Sequence, residues 1–210
     1  MDIRIEALTP ELAQAYLDFF DRRAFSDGSP NYPCYCCAFN LSADAIARLR
    51  QRADAIGAGT EGWKSVLRER AAGMVRAGKI RGFLAFDGDA AVGWCNANDR
   101  LEFFRVGGFD TDSVPPDGPP PMGLKRGQVK SVVCFEIAPG YRGRGIASRL
   151  LERACADARD EGYEAVEAYP ADGEQEDFRA FAGPVRLYEK AGFTRCSRAG
   201  SALVMRKMLR

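Results

Sequence analysis

The chain has 210 residues, 46% of them hydrophobic, with 30 basic residues set against 29 acidic ones. That size and apolar content suit one folded domain with a sizeable core and exclude an intrinsically disordered chain. The near-neutral charge and the lack of any run of about twenty apolar residues exclude nucleic acid and the membrane from the expected partners. Met1-Asp2-Ile3-Arg4-Ile5 carries no apolar segment of the signal-peptide type, and the seven cysteines form an odd set. A cytoplasmic protein with reduced thiols is therefore expected.

Ile3, Ile5 and Ala7 alternate with Arg4 and Glu6, which predicts a half-buried first strand. Thr9-Pro10-Glu11 signals a helix start, with Thr9 as N-cap and an apolar stripe of Leu12, Ala15, Tyr16, Phe19 and Phe20. Residues 25–41 read as a loop rich in Asp, Gly, Pro, Asn and Cys, and helical patterning resumes over 42–56 and 63–77. Strands are predicted over 83–86 and 91–97, joined by a hairpin turn at Asp87-Gly88-Asp89. Residues 99–127 contain Gly107-Gly108 and a proline-rich run from Pro115 to Pro121, so they read as an irregular insertion within the domain. A strand over 129–137, a helix over 148–161, a strand over 165–169 and an acidic loop at 172–177 follow. A short helix over 184–190 and a hairpin built from 193–198 and 202–207 complete the chain. This order predicts an α/β fold with a mixed sheet.

Residues 133–147 are the most informative stretch. An apolar strand meets a sharp turn at Pro139-Gly140, and Arg142-Gly143-Arg144-Gly145-Ile146-Ala147 then opens an amphipathic helix. The first N–H groups of a helix lack partners within it and the helix dipole favours negative charge there, so this loop suits an anion. Two nucleotide motifs are excluded: there is no Gly-x-x-x-x-Gly-Lys-[Ser/Thr], and Ser148 stands where a dinucleotide fingerprint needs its third glycine.

The loop resembles the pyrophosphate signature of the GNAT superfamily of acyl-CoA-dependent N-acyltransferases, Arg/Gln-x-x-Gly-x-Gly/Ala, through Arg142, Gly145 and Ala147. Phe135-Glu136-Ile137-Ala138-Pro139 is similar to the family's cofactor strand, and Leu187-Tyr188-Glu189-Lys190-Ala191-Gly192-Phe193 to its second signature. The resemblance covers residues 80–209 well and the first 80 loosely. It implies a GNAT-like sheet, mixed and splayed between two central strands, in one domain over 1–210. Residues 1–80 would form the acceptor side, 81–170 the sheet and CoA loop, and 171–210 the terminal helix and hairpin.

The resemblance further implies acetyl-CoA as co-substrate, held by Phe135, Ile137, Arg142, Gly143, Arg144, Gly145, Ile146 and Ala147. The Phe135 N–H would stabilise the developing oxyanion, and Tyr188 would protonate the departing thiolate. The family's usual base positions hold Val133 and Ser131, and the chain has no histidine. Among Asp99, Glu102 and Glu136, Glu102 is favoured as base, with a base acting through water as the alternative. Strand alternation puts Glu136 on the face opposite Ser131 and Val133, unless a bulge re-aims it. An asparagine that many members carry before the tyrosine is replaced here by Phe181.

Cys34, Cys36 and Cys37 crowd four positions, yet no second ligand pair or histidine accompanies them. They read as part of a pocket wall in preference to a redox or metal site, and no metal is expected. Tyr32, Tyr35 and Phe39, with Trp94, Asn96 and Ser131, are the expected acceptor-binding residues. The resulting expectation is an N-acetyltransferase acting on the primary amine of a small molecule by direct transfer, with a homodimer left open. Acetylation of a protein lysine or N-terminus is the alternative, as is a non-catalytic acyl-CoA-binding module.

Overall fold

A computed structural model describes residues 2–29, 31–104, 125, 127–170, 180–199 and 202–209. Most of the proline-rich insertion and the whole acidic loop at 172–177 lie outside these residues. Seven strands form one sheet: β1 (Ile3–Ala7), β2 (Gly82–Asp87), β3 (Ala90–Asp99), β4 (Val129–Ile137), β5 (Ala165–Ala168), β6 (Thr194–Ala199) and β7 (Ala202–Met208). Their spatial order is β1-β2-β3-β4-β5-β7-β6, and β4–β5 is the parallel pair.

Helices α1 (Ala13–Arg22), α2 (Ala43–Ile56) and α3 (Thr60–Arg76) cover one face, and α4 (Ile146–Asp160) and α5 (Val185–Lys190) the other. Pro10 opens a short 3-10 turn ahead of α1, but Thr9 makes no side-chain cap. Ser42 does cap α2, its Oγ accepting from Ala45 N at 3.2 Å. The expected stripe of Tyr16, Phe19 and Phe20 is buried. α3 starts at Thr60, three residues before the sequence pattern predicts. α4 starts at Ile146, two residues early, which brings Ile146 and Ala147 into its first turn.

Two departures from ideal sheet geometry create the site. First, β4 pairs with β5 only from Val129–Ala165 to Val132–Ala168. Beyond Val132 the β5-side edge of β4 has no strand partner among the described residues, while its other edge stays paired with β3 up to Ile137. Second, Asn96 sits opposite Cys134 and Ala97 opposite Val132, so Val133 is an extra, bulged residue in β4. Val133 and Cys134 consequently both pack into the core under α1–α3, whereas Val132 and Phe135 pack toward α4. Ile137 also packs toward α4, which leaves Glu136 on the face of Val133 and Cys134. Ser131 shares that face through its bond to the buried Tyr169. The bulge thus overturns the expectation that Glu136 opposes Ser131 and Val133.

Where β4 and β5 do pair, a buried polar chain ties them to β7. Ser131 Oγ lies 2.8 Å from the Tyr169 hydroxyl, which donates to Glu167 Oε2 at 2.8 Å. Glu167 Oε1 accepts from Arg206 Nε at 2.9 Å. Since Tyr169 gives its proton to the carboxylate, the Ser131 hydroxyl is the donor to Tyr169.

Candidate active site

The gap beside β4 opens as a cleft of about 730 Å3. Its walls are the free half of β4, the turn into α4, the 180–184 segment and α5, with Asp27, Ser29 and Asn31 from the long first loop across the opening. Of the eight residues expected to hold the cofactor, Phe135, Ile137, Arg142, Gly143, Gly145, Ile146 and Ala147 line this cleft. Arg144 does not; its guanidinium lies over the Tyr141 ring, 5.6 Å from the centroid.

Gly143 and Gly145 adopt left-handed φ values of +74° and +78°, and a Cβ at either would meet nothing within 4 Å. Glycine is needed there for backbone conformation, not to relieve crowding. Gly145 is the N-cap of α4 and no side chain caps it, so the first N–H groups of that 15-residue helix face the cleft. Arg142 adds a cation at the same place. Its Nε donates to the Ile137 carbonyl at 3.0 Å, and its Nη atoms reach Asp27 Oδ2 at 2.5 Å and Glu136 Oε1 at 3.5 Å. The bond from Arg142 holds the Asp27 carboxyl below its usual range.

Glu136 is the acidic group of the cleft that sequence alternation set aside. Burial pushes its pKa up to about 7, against the opposing pull of Arg142. A carboxyl so placed takes up and releases protons near neutrality. No residue pattern announces the bulge that turns it into position; the signal lies in the register between β3 and β4.

Tyr188 is buried behind the cleft wall, its ring against Phe135 and Phe193. Its hydroxyl donates to the Ala182 carbonyl. Burial raises its pKa well above the usual phenol value, so it stays protonated. Gly183, at φ +73°, separates the hydroxyl from the cleft: a Cβ there would stand 3.3 Å from Tyr188 Oη and 3.5 Å from the Phe135 ring. The sequence reading missed Gly183. Phe181 lines the cleft as well.

The remaining expected residues lie elsewhere. Glu102 sits in the 3-10 turn after β3, its carbonyl accepting from Asn40 Nδ2 at 3.0 Å, and it does not line the cleft. The Asp99 carboxylate holds the same turn through Leu101 N and Gly127 N, at 2.9 and 2.7 Å. Tyr35 is buried, its hydroxyl donating to Asp21, which also accepts from Arg68 Nε at 2.8 Å. Tyr32 lies on the surface, donating to Glu61 at 3.1 Å under the Lys64 ammonium. Trp94 packs edge-on to Tyr16 at 5.0 Å, and Asn96 Nδ2 donates to the Cys36 carbonyl at 3.0 Å. Ser131 is engaged with Tyr169, and Phe39 touches the cleft only through Phe181, 5.9 Å away. None of the six expected acceptor residues, Tyr32, Tyr35, Phe39, Trp94, Asn96 and Ser131, lines the cleft itself.

Comparison with known proteins places this geometry. The fold matches a GNAT-family acetyltransferase from Desulfovibrio desulfuricans at a TM-score of 0.53, with 14% identity over 100% of both chains. It also matches the PaiA N-acetyltransferase of Thermoplasma acidophilum, solved with coenzyme A, at 0.54 with 14% identity over 99% of each chain. A third match is the GNAT domain of S. lividans PAT, at 0.51 with 18% identity, covering 99% of this chain and 90% of that one. At such identities the likeness is one of fold. No curated protein sequence matches. The sequence profile of the Acetyltransferase (GNAT) family matches residues 49–193, well over half the chain. The chain therefore belongs to the GNAT family and is an acetyltransferase.

Proposed function

We propose that the chain, as one domain, moves an acetyl group from acetyl-CoA to the primary amine of a small molecule by direct transfer in a ternary complex. The observation that carries this reading is the cleft where β4 leaves β5: one free strand edge, one uncapped helix start and one arginine share it. A pantetheine arm suits the Phe135–Ile137 edge of β4, where the Arg142 side chain now occupies the Ile137 carbonyl, because an extended amide chain can add to a strand edge that lacks a strand partner. Pyrophosphate suits the α4 N-terminus with Gly143, Gly145 and Arg142. That a protein of the same fold was solved with coenzyme A agrees with this placement.

Bound acetyl-CoA supplies an electrophilic thioester carbonyl and a thiolate leaving group. Around it, Glu136 would take the proton that an ammonium acceptor must lose, the Phe135 N–H would stabilise the charge developing on the carbonyl oxygen, and Tyr188 would supply the proton for the thiolate once its hydroxyl turns from the Ala182 carbonyl past Gly183. We assign the base to Glu136 in place of Glu102 because Glu136 lines the cleft, is turned to the acceptor-side face and titrates near pH 7. A small acceptor is favoured by the first loop, which closes that face: Asn96 grips it at Cys36, the Phe39 carbonyl accepts from Phe104 N at 2.9 Å, and Asp27 pairs with Arg142. A reducing, cytoplasmic setting is part of the same proposal.

The test is calorimetric titration with acetyl-CoA and CoA, followed by thiol release across a panel of amines. Binding with thiol release on small amines is expected. Release only with peptide amines would move the acceptor to the protein class, and binding without any turnover would make the chain a sensor.

A further inference from the structure

Two cations at the rim of the cleft take no part in acetyl transfer. Arg186 and Lys190 both line the cleft and both are exposed, which sets them at its mouth. They come from α5, four residues apart, and so stand one above the other on a single face of that helix. Leu187, next to Arg186, turns inward and packs on the core that holds Phe135. The uncapped start of α4, with Gly145, Ala147 and Ser148, forms another wall of the same cleft.

The charges of the cleft do not balance. Its described lining holds three cations, Arg142, Arg186 and Lys190, against two carboxylates, Asp27 and Glu136. Both carboxylates engage Arg142. Among the described residues the side chains of Arg186 and Lys190 make no ion pair and no hydrogen bond. Glu189, which precedes Lys190, turns instead to Arg195 at 3.3 Å. Two like charges one helical turn apart repel, and a cation in the first turn of a helix opposes the helix dipole. Arg186 therefore gains nothing from its own helix. An anion relieves both costs, and one phosphate can meet both side chains, whose Cβ atoms at this spacing lie roughly 5–6 Å apart.

We propose that Arg186 and Lys190 form a second phosphate subsite, which takes the 3′-phosphate monoester on the ribose of coenzyme A. The inference rests on the acetyl-CoA reading above and extends it. Coenzyme A carries a pyrophosphate between pantetheine and adenosine, and a separate monoester on the ribose. On that reading Arg142, Gly143, Gly145 and the α4 start take the pyrophosphate. The monoester, with roughly two negative charges at neutral pH, is the anion left over, as these are the cations left over. Recognition at this point makes the donor a free CoA thioester. Dephospho-CoA lacks the group, and so does a pantetheine held on a carrier protein through one phosphodiester. Arg186 and Lys190 thus set donor specificity, and no bond is made or broken at them.

Calorimetric titration of the full chain with CoA and with dephospho-CoA, at low and high salt, tests the subsite. CoA should bind about tenfold tighter, and added salt should narrow the gap, because exposed charges are screened. Combining Arg186→Ala with Lys190→Ala should close the gap, with dephospho-CoA binding as it does to the unmodified protein. Combining Arg186→Lys with Lys190→Arg should keep it open, since charge and position are retained. Equal affinity of the unmodified protein for both ligands would overturn the subsite and leave the acetyl-CoA reading standing. An alanine variant that keeps the full preference for CoA, or that loses the same factor for both ligands, would overturn it too. If neither ligand binds, the acetyl-CoA reading fails and the subsite with it. Should the double alanine variant not fold, Arg186→Ala alone decides, with the gap expected to shrink about threefold.

Discussion

The two halves of β4 have opposite fates. From Lys130 to Val132 the strand is paired on both edges, and its buried polar side chains are consumed by partners: Ser131 by Tyr169, and Lys130 by Asp157 and Glu161 at 2.5 and 2.7 Å. From Val133 to Ile137 only its β3 edge has a strand partner among the described residues, and the other edge and Glu136 face a cleft. The change takes place within one residue, at the bulge. A polar group in the first half stabilises the sheet because it is satisfied. In the second half, groups remain available for a ligand because no strand among the described residues pairs with that edge.

This contrast can be broken from either side. The largest expected effect lies in the paired half: Glu167→Ala removes the carboxylate beside the buried Arg206 and should destabilise the fold by about 3–5 kcal/mol, read from denaturant unfolding. In the open half, Arg142→Glu combined with Gly145→Glu should weaken acetyl-CoA binding by roughly a thousandfold in calorimetry while unfolding remains cooperative. Retained affinity would remove the cleft from the reading.

Glu136→Gln should lower kcat/KM by about a hundredfold. In kcat/KM for acetyl-CoA, which reports the unloaded cleft, the unmodified protein should lose activity as pH falls through about 7, because the base is then protonated, and the glutamine variant should lack that limb. An unchanged pH profile would put the base elsewhere, with Glu102 the next to test. Tyr188→Phe should slow turnover by about tenfold with little change in cofactor affinity, since a phenol donating late acts on the transition state. Smallest of all, Gly183→Ala should cost about 1 kcal/mol of stability from its φ of +73° and crowd the Tyr188 hydroxyl. Its signature is a fall in kcat larger than any rise in KM.

Much of the frame was legible in the sequence because it is written locally. The alternation of Ile3, Ile5 and Ala7, the turn at Asp87-Gly88-Asp89, the glycines around Arg144 and the family signatures each sit within a few neighbouring residues. What escaped depends on residues far apart. Val133 bulges because of how β3 meets β4, so Glu136 looked misdirected. Tyr35 and Trp94 read as pocket aromatics, yet an aromatic residue carries the same signal in a core, and Tyr16, Asp21 and Arg68 claim them there. Cys36 was visible as part of a cluster, but its left-handed backbone and the Asn96 amide that meets its carbonyl and sulfur come from how the loop meets β3.

Arg142 links two parts of the molecule that, on the proposed reading, a phosphate would separate. It is shared between Asp27 on the first loop and Glu136 on β4, so an arriving anion competes with two carboxylates for one guanidinium. Thermodynamic reciprocity follows: whatever frees the first loop from Arg142 favours the anion, and the anion frees the loop by the same factor. Withdrawing Arg142 from Glu136 also removes the main force keeping that carboxyl acidic, so a loaded cleft holds a stronger base than an empty one. On the proposed reading, the shared arginine favours nucleotide first and amine second.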